Sequence, residues 1–421
     1  EFFITNDQHM KIQLKKPLLF IALTAVMFTL PVFSQSDDAD YGDLLGQDQV
    51  NTITTAVPFL MIAPDARAGA MGDAGVSSRP DANSMHWNPA KYAFAEQEMA
   101  LAANYTPWLR TLVPDINLSY LSGYTRIDAL QTVAASLVFF SLGDIQFTSE
   151  TGTLEGIYRP SEFAIDVAYA RKLGSNISGG IAVRYINSNL TQGQNVAGQE
   201  TKPGRALAAD VSMYYTTDLD WRSYPANFAF GVNISNIGNK ISYSDDVINS
   251  HFIPINLRLG PSLSLDLDDY NSIAFSLDIN KLLVPTPPIY ARDPETNAPI
   301  IDDDGNFVIE KGKDPYRSVV EGMFGSFTDA PGGFQEEINE LTYSFGMEYW
   351  YDRQFAIRGG YFHEHETKGN RKFFTLGLGL KYNVFGLDFS YIIPLMQRSP
   401  LENVLRFSLT FDFDALGDDN M

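Results

Sequence analysis

The chain has 421 residues, a formal net charge of −21, 45% apolar and 13% aromatic residues, and no cysteine. The acidic charge argues against a nucleic-acid-binding protein, because phosphates require a basic surface, and the absence of cysteine excludes disulfides and thiolate sites. The 21 Tyr and 29 Phe far outnumber the 4 Trp, as is typical of lipid-facing and interfacial positions in a membrane barrel, which uses a chain of this length as one unit.

The N-terminal region predicts export. Residues 10–34 read as a signal peptide: a basic start, the apolar stretch 18–33, and Val32-Phe33-Ser34 as a cleavage pattern before Gln35. Residues 1–9 precede this pattern and are expected to be leader sequence outside the fold. No later stretch approaches the ~20 apolar residues of a spanning helix, which leaves the periplasm, the cell exterior or the outer membrane.

Residues 35–96 are predicted to form an N-terminal linker and plug. The stretch 58–94 is rich in small residues, with Gly69, Gly72 and Gly75, and it is too broken for a long strand and too short for its own core. It therefore reads as an insert packed into a larger fold. A plug motif is marked by Trp87, Asn88, Pro89 and Ala90.

Residues 97–413 alternate with period two, segment after segment. In one example Phe163, Ile165 and Val167 oppose Ala164 and Asp166. About fourteen such segments are predicted, an even number as closed barrels require. They start near Glu98, Pro114, Gln131, Glu162, Ile177, Arg205, Ala226, Phe252, Asn271, Leu341, Gln354, Lys372, Phe385 and Asn403.

Short and long links alternate between these segments, as periplasmic turns and surface loops do in bacterial barrels. The fold class is therefore predicted to be all-β, a transmembrane antiparallel β-barrel of about fourteen strands; the alternative is an exported soluble β-protein. The face opposite the aliphatic one carries charges of both signs, which cannot face lipid and so line a wet lumen or bind the plug. They are Asp166, Arg184, Asp210, Asp266, Asp278, Glu348, Arg358, Lys381, Asp388 and Arg406.

The longest link, residues 284–340, is predicted to lie outside the cell. Residues 299–310 form two short apolar runs around a turn, which favours a hairpin. The alternative is a calcium loop using Asp302, Asp304 and Asn306, but the position that requires Glu is occupied by Lys313.

A helix is predicted to follow, with Asp314 as N-cap and Pro315 in its first turn. An apolar stripe along it must pack on something, either the barrel mouth or a partner. The candidate partner-docking residues are Tyr316, Val319, Val320, Met323, Phe324 and Phe327.

The sequence contains few candidate catalytic or metal-binding residues. His363 and His365 are interpreted as solvated rim residues without an obvious third metal ligand, His86 as structural, and His251 as the start of a strand. No nucleophile elbow, Walker loop or dinucleotide fingerprint is present. We therefore predict no catalytic residue, metal or cofactor. The terminal strand resembles a barrel-insertion signal, but the tail 414–421 follows it.

The sequence resembles one broad and one narrower protein family. The Trp87-Asn88-Pro89-Ala90 turn resembles the hatch of FadL-like outer-membrane barrels. The stretches 52–60, 62–76 and 83–94 together resemble the PorV family, the outer-membrane shuttle of type IX secretion.

The resemblance implies a non-enzymatic carrier in the outer membrane. It would bind the C-terminal signal domain of secreted cargo at its extracellular face, take it from an SprA-like (Sov) translocon barrel, and deliver it to the attachment complex. The implied partners there are the sortase-like PorU, other attachment-complex subunits, and lipopolysaccharide. The alternative is a FadL-type channel for hydrophobic small molecules; a third class, a lipid-modifying hydrolase, lacks an evident Ser or Asp paired with a buried His.

Overall fold

A computed structural model describes residues 51–413, except 111, 112, 114, 149–153, 192–194, 197, 198, 245–249, 294, 297, 304 and 398. The predicted leader, signal peptide, first part of the linker (residues 35–50) and C-terminal tail lie outside the described residues.

Twenty strands, four α-helices and two 3₁₀-helices make up the described part of the chain. The strands are β1 Met99–Pro107, β2 Asn117–Arg126, β3 Gln131–Ser141, β4 Ile145–Thr148, β5 Leu154–Tyr158, β6 Ser161–Lys172, β7 Ile177–Asn189, β8 Asn195–Val196, β9 Gln199–Glu200, β10 Gly204–Trp221, β11 Tyr224–Gly238, β12 Asn256–Asp266, β13 Asn271–Leu282, β14 Ile289–Tyr290, β15 Ile309–Lys311, β16 Thr342–Tyr351, β17 Phe355–His363, β18 Lys372–Tyr382, β19 Phe385–Pro394 and β20 Leu405–Asp412. The helices are η1 Pro58–Met61, α1 Ala66–Gly69, α2 Ser84–Trp87, η2 Pro89–Phe94, α3 Val319–Gly325 and α4 Phe334–Asn339.

Fourteen of the strands close into one antiparallel barrel. Strand β1 pairs on one side with β2, where Ala103 lies opposite Leu121, and on the other with β20, where Ala103 lies opposite Leu409. Closure leaves no unpaired sheet edge, as a lipid environment requires. The predicted fold class is confirmed. The other six strands form three two-stranded hairpins in the links: β4–β5, β8–β9 and β14–β15.

The alternation of side chains decides which face of each strand meets lipid. In β6, Ile165 and Val167 are 46% and 61% exposed, whereas Ala164 and Ala168 are buried. The outer face is therefore apolar and the inner face small or polar, which is the polarity of a barrel that crosses a bilayer. None of the helices among the described residues is both long and apolar enough to span a membrane.

The links define two ends of the barrel. The short-turn end carries the links 127–130, 173–176, 222–223, 267–270, 352–354 and 383–384. The long-loop end carries the links 108–116, 142–160, 190–203, 239–255, 283–341, 364–371 and 395–404. Short and long links alternate as predicted, and in outer-membrane barrels the long loops face the exterior.

Strand β12 starts four residues later than predicted. The segment expected to begin near Phe252 begins at Asn256, and His251 forms an isolated bridge with Ile241 instead of starting that strand. Pro254 lies between them and has no N–H to donate to a ladder, which delays regular pairing.

Candidate functional site

The residues before β1 run the length of the barrel interior. We call residues 51–98 the inner segment. At the long-loop end the backbone N–H of Asn51 donates to Thr367 O (3.2 Å), and at the short-turn end Glu98 O accepts from Arg126 N (2.8 Å). Between these points the segment packs against inward-facing side chains of strands on opposite sides of the wall.

Inward-facing glycines of the wall allow this contact. A Cβ added to Gly360 would overlap the backbone of Met71 and Gly72, and one added to Gly231 would overlap the backbone of Val76. Side chains at these positions would hold the inner segment away from the wall. The same close approach occurs at Gly180, Gly346 and Gly377.

The predicted plug motif forms a buried turn. Asn88 caps η2, because its Oδ1 accepts from Ala90 N (3.0 Å), and its Nδ2 donates to Val76 O and to Met213 O, both at 3.0 Å. Pro89 begins η2, where its missing N–H costs nothing. Asn88 therefore joins two parts of the inner segment to β10.

Trp87 and Ala90 complete the motif. The indole Nε1 of Trp87 donates to Asp65 Oδ1 (2.6 Å), and Ala90 N also donates to Ser212 Oγ (3.0 Å) of β10. Ser178 Oγ of β7 donates to Ala90 O (2.7 Å).

The three predicted plug glycines each contact a different part of the wall. Gly69 O accepts from Arg406 Nη1 (3.2 Å). Gly72 has a φ of 68°, which favours glycine, and its N–H donates to Thr375 Oγ1 (2.9 Å). Gly75 N donates to Asp278 Oδ2 at 2.8 Å.

Inner charges of the wall form ion pairs with the inner segment and with each other. Glu348 binds Arg67 of the inner segment (2.9 Å) and Arg358 of β17 (2.6 Å). In the opposite part of the wall Arg184 forms ion pairs with Asp166 and Asp210. The interior is therefore ionic, as the charged strand faces predicted. Two members of that set, Asp266 and Lys381, lie near the short-turn end and are 46% and 40% exposed.

The inner segment separates two cavities. The cavity toward the short-turn end has a volume of about 210 Å³ and is lined by charged side chains including Arg67, Arg358 and Asp388. The second, which we call the outer cavity, lies toward the long-loop end, has a volume of about 460 Å³, and mixes charged with apolar walls. The lining of neither cavity is purely apolar.

The long loop contains the predicted hairpin but not the predicted helix start. Ile301 pairs with Phe307, and the Asp302 carboxylate accepts the N–H of Asn306, which holds the turn. Asp304 lies outside the described residues. The helix begins at Val319 rather than after Asp314: a capping box of Ser318 and Glu321, in which each side chain accepts from the other's backbone N–H, sets its start.

The predicted apolar stripe is split between two faces. Val319 and Met323 pack against the buried cluster at the long-loop end of the barrel, and Gly322 lies against Phe252. Residues on the other side of α3, in its flanks and at the start of α4 remain exposed. We call Tyr316 (72% exposed), Val320 (62%), Phe324 (75%), Phe327 (46%) and Phe334 (81%) the rim surface.

A group of carboxylates on α4 and at its C-terminal cap fastens the long loop. Glu340 binds Lys281 of β13 (2.6 Å) and Lys368 of the 364–371 link (3.1 Å), and Glu337 also binds Lys281 (2.9 Å). Glu336 binds Lys368 and accepts from Asn51 Nδ2 (3.1 Å). We call Glu336, Glu337 and Glu340 the carboxylate clasp; it connects the loop to the wall and to the start of the inner segment. Sequence reasoning missed it.

Two loop carboxyls near the clasp are perturbed in opposite directions. Burial, followed by the charges of Glu337 and Glu340, raises the pKa of Asp329 to about 6. Burial acts to raise the pKa of Glu336 as well, but hydrogen bonds from Lys368 and the Gly332 N–H outweigh it and leave that pKa below its usual value.

The four histidines of the described residues lie in separate surroundings or beside non-ligating partners. Nδ1 of His363 lies 3.2 Å from Tyr361 Oη, and Nδ1 of His365 lies 3.0 Å from Thr367 Oγ1. His86 is half-buried and lies edge-on against Trp87, with ring centroids 4.8 Å apart. Within the described ranges no group of three or more metal-ligating side chains converges.

A closed antiparallel barrel with an apolar outside, an ionic inside and its own N-terminal segment in the lumen defines a β-barrel of the outer-membrane class. The family model described as Type IX secretion system protein PorV matches residues 45–289, more than half of the chain. The chain belongs to this family and is a component of type IX secretion.

Several solved structures are similar to this chain at low sequence identity. The toluene transporter TodX of Pseudomonas putida is 12% identical, with 86% of this chain and 98% of that chain covered and a TM-score of 0.43. A FadL homologue of Pseudomonas aeruginosa is 11% identical, with 86% and 99% covered and a TM-score of 0.40. The toluene transporter TbuX of Ralstonia pickettii is 11% identical, with 82% and 96% covered and a TM-score of 0.39. A search of curated protein sequences found no match.

Proposed function

We propose that this protein is the cargo shuttle of type IX secretion in the outer membrane. It binds the C-terminal signal domain of a secreted protein at its long-loop end, takes it from the SprA-like translocon barrel, and hands it to the attachment complex that contains the sortase-like PorU. Export through the signal peptide at 10–34 and closure of the lumen by the plug at 35–96 belong to the same proposal.

The observation that carries this proposal is the contrast between the lumen and the rim. The inner segment is bonded to β7, β10, β13, β18 and β20 through backbone or side-chain hydrogen bonds. A polypeptide passing through the barrel would have to displace all of these bonds. The rim surface, by contrast, exposes five large apolar side chains in water, which is typical of a protein-binding patch.

The packing of α3 supports the same division. Its inner side, Val319 and Met323, is already used by the barrel mouth, so Val320 and Phe324 are held outward on a fixed helix. The carboxylate clasp ties the following helix, α4, to Lys281 of β13 and to Lys368 of the 364–371 link. A rigid aromatic surface binds a partner with less loss of conformational freedom than a flexible loop.

The experiment compares cargo recovery by rim variants in the native host. The double variant F324S/F334S removes the two most exposed aromatic side chains of the rim surface. Y270S, which removes an aromatic that is 60% exposed at the short-turn end, is the matched control. Tagged protein is purified in mild detergent and the secreted proteins that accompany it are quantified by mass spectrometry.

We expect cargo recovery to fall at least tenfold in F324S/F334S and to stay at the wild-type level in Y270S. Deleting 315–327 should have the same effect with the barrel still inserted. Undiminished recovery in the double variant would remove the rim surface from the mechanism. Recovery of bound fatty acid without any secreted protein would support the small-molecule channel instead.

A further inference from the structure

The outer cavity has an excess of positive charge in a strongly acidic protein. Its charged lining consists of four cations and three carboxylates, a net charge of +1 in a chain of net charge −21. The cations are Arg258, Lys368, Arg371 and Arg406. The carboxylates are Asp73, Glu340 and Glu364.

Three of the four cations have carboxylate partners within the lining. Arg371 pairs with Glu364 (2.7 Å) and Lys368 with Glu340 (3.1 Å). Arg406 pairs with Asp73 at 3.3 Å. The excess charge therefore belongs to Arg258.

Arg258 is buried, and its hydrogen-bonding and ring partners are neutral; the carboxylate charges of Asp278 and Asp73 act on it only from beyond ion-pairing distance. Its Nε donates to Asn280 Oδ1 (2.7 Å), its Nη1 lies 3.4 Å from His86 O, and its guanidinium lies 4.6 Å from the Trp87 ring centroid. It forms no ion pair with any carboxylate in the described part of the chain. Because a guanidinium stays ionised when buried and an unpaired buried charge is costly, this geometry favours an anion in the cavity.

One wall of the outer cavity is a stretch of backbone without partners among the described residues. Thr52, Ile53, Thr54 and Thr55 all line the cavity and belong to no helix or strand. The flanking N–H groups of 51 and 56 donate to Thr367 O and Phe252 O. From 52 to 55, however, no N–H or C=O is hydrogen-bonded to another described residue. These groups are free to pair with the main chain of a ligand, as in recognition by strand addition.

The remaining wall is apolar. Phe362, Phe373 and Ile392 form a buried cluster against which Trp108 and Leu401 pack, and all five also line the cavity. A hydrocarbon chain would use this wall and Arg258 but would leave the backbone groups of 52–55 unused. A peptide uses all three features.

We propose that the outer cavity binds the end of an extended, apolar peptide whose carboxylate pairs with Arg258 and whose main chain pairs with residues 52–55. At about 460 Å³ the cavity has the size of a site for a small molecule, so the bound segment is a few residues long. The proposal is independent of cargo docking at the rim surface and concerns the lumen alone.

The test uses the full chain in detergent and three probes. The first is the acetylated tetrapeptide Val-Thr-Val-Phe with a free C-terminal carboxylate, the second is the same peptide as its C-terminal amide, and the third is 4-phenylbutyrate, an apolar acid without a peptide backbone. Binding is measured by isothermal titration calorimetry at low and high salt.

We expect the peptide acid to bind at least tenfold more tightly than the amide and than 4-phenylbutyrate, with weaker binding at high salt. R258M should abolish the preference for the acid over the amide, and R258K should restore part of it. K381Q removes one positive charge from the separate short-turn cavity and should bind like the wild type. The urea midpoint followed by tryptophan fluorescence confirms that each variant is folded.

Each contrary result rejects a stated part of the proposal. Equal binding of acid and amide would exclude Arg258 as the counter-charge. Equal or tighter binding of 4-phenylbutyrate would show that the backbone groups of 52–55 play no role and that the ligand is a small amphiphilic acid. Failure of wild-type protein to bind any probe would exclude the site altogether.

Discussion

Arg67 of the inner segment and Glu348 of β16 form a two-bonded ion pair, with Nε–Oε2 at 3.0 Å and Nη2–Oε1 at 2.9 Å. The residues are 281 positions apart in the chain, and their side chains are only 13% and 3% exposed. A planar guanidinium that meets a carboxylate in this way fixes both distance and orientation. The pair therefore fixes the position of the inner segment relative to β16 in the barrel wall.

Arg67→Met should weaken the attachment of the inner segment to the barrel wall. Removing one partner of a buried ion pair costs ~3–5 kcal/mol, and the cost here should be smaller because Glu348 keeps Arg358 at 2.6 Å. We expect a lower thermal unfolding midpoint and a larger conductance in planar bilayers. Arg79→Met is the control: its pair with Asp266 spans 4.0 Å between half-exposed side chains and should contribute ~0–1 kcal/mol. Equal effects of the two substitutions would contradict this account.

Gly360→Ala should destabilise the protein, whereas Gly359→Ala should not. Gly360 faces inward, and an added Cβ would overlap the backbone of Gly72, so the inner segment must shift; overpacking of this kind costs ~1–3 kcal/mol or more. Gly359 faces outward, and the nearest atom to an added Cβ lies 3.8 Å away. That substitution should be neutral or stabilise by ~0.4–1 kcal/mol. Urea unfolding midpoints measure both, and a destabilised Gly359→Ala with an intact Gly360→Ala would overturn the assignment of faces.

The barrel was predictable because lipid imposes period two on every strand. The outward residues of β6 or β18 must be apolar whatever they contact, so the alternation is visible in the sequence of each strand by itself. The contacts of the lumen are not local. Nothing near Arg67 in the sequence indicates Glu348. The one overlooked local signal is glycine at inward strand positions, as at Gly231 and Gly360, which marks a close backbone approach.

The helix in the long loop was placed wrongly because two start signals compete within five residues. Asp314-Pro315 is a common helix start, but Ser318 and Glu321 form a complete capping box, which satisfies two backbone N–H groups. Consecutive side chains of a helix point about 100° apart, so Val319 and Val320 lie on different sides of it. A stripe assumed to be one face is therefore divided between the barrel mouth and solvent.

Glu340→Gln should release the long loop from the barrel. Glu340 binds Lys281, Lys368 and the hydroxyl of Thr286 (2.7 Å), and the amide would leave Lys281 with Glu337 alone and Lys368 with Glu336 alone. We expect trypsin to cleave within 311–317 at least tenfold faster in folded protein, since loop opening precedes cleavage. Gln335→Ala, on the exposed side of the same helix, should leave the rate unchanged. An unaltered rate in Glu340→Gln would show that the carboxylate clasp does not hold the loop.

The folded structure of the long loop should also become less stable as the pH rises. The pKa of Asp329 is raised from 3.8 to about 6 in the folded loop, so folding takes up a proton between these values. Stability from this group is complete below about pH 4 and is lost as the pH passes 6. Hydrogen exchange of the backbone around 326–333, corrected for the intrinsic rate, should show roughly tenfold more frequent opening at pH 7.5 than at pH 4.5. Asp329→Asn, which cannot ionise, should remove this dependence, and a pH-dependent loop in that variant would assign the effect to another group.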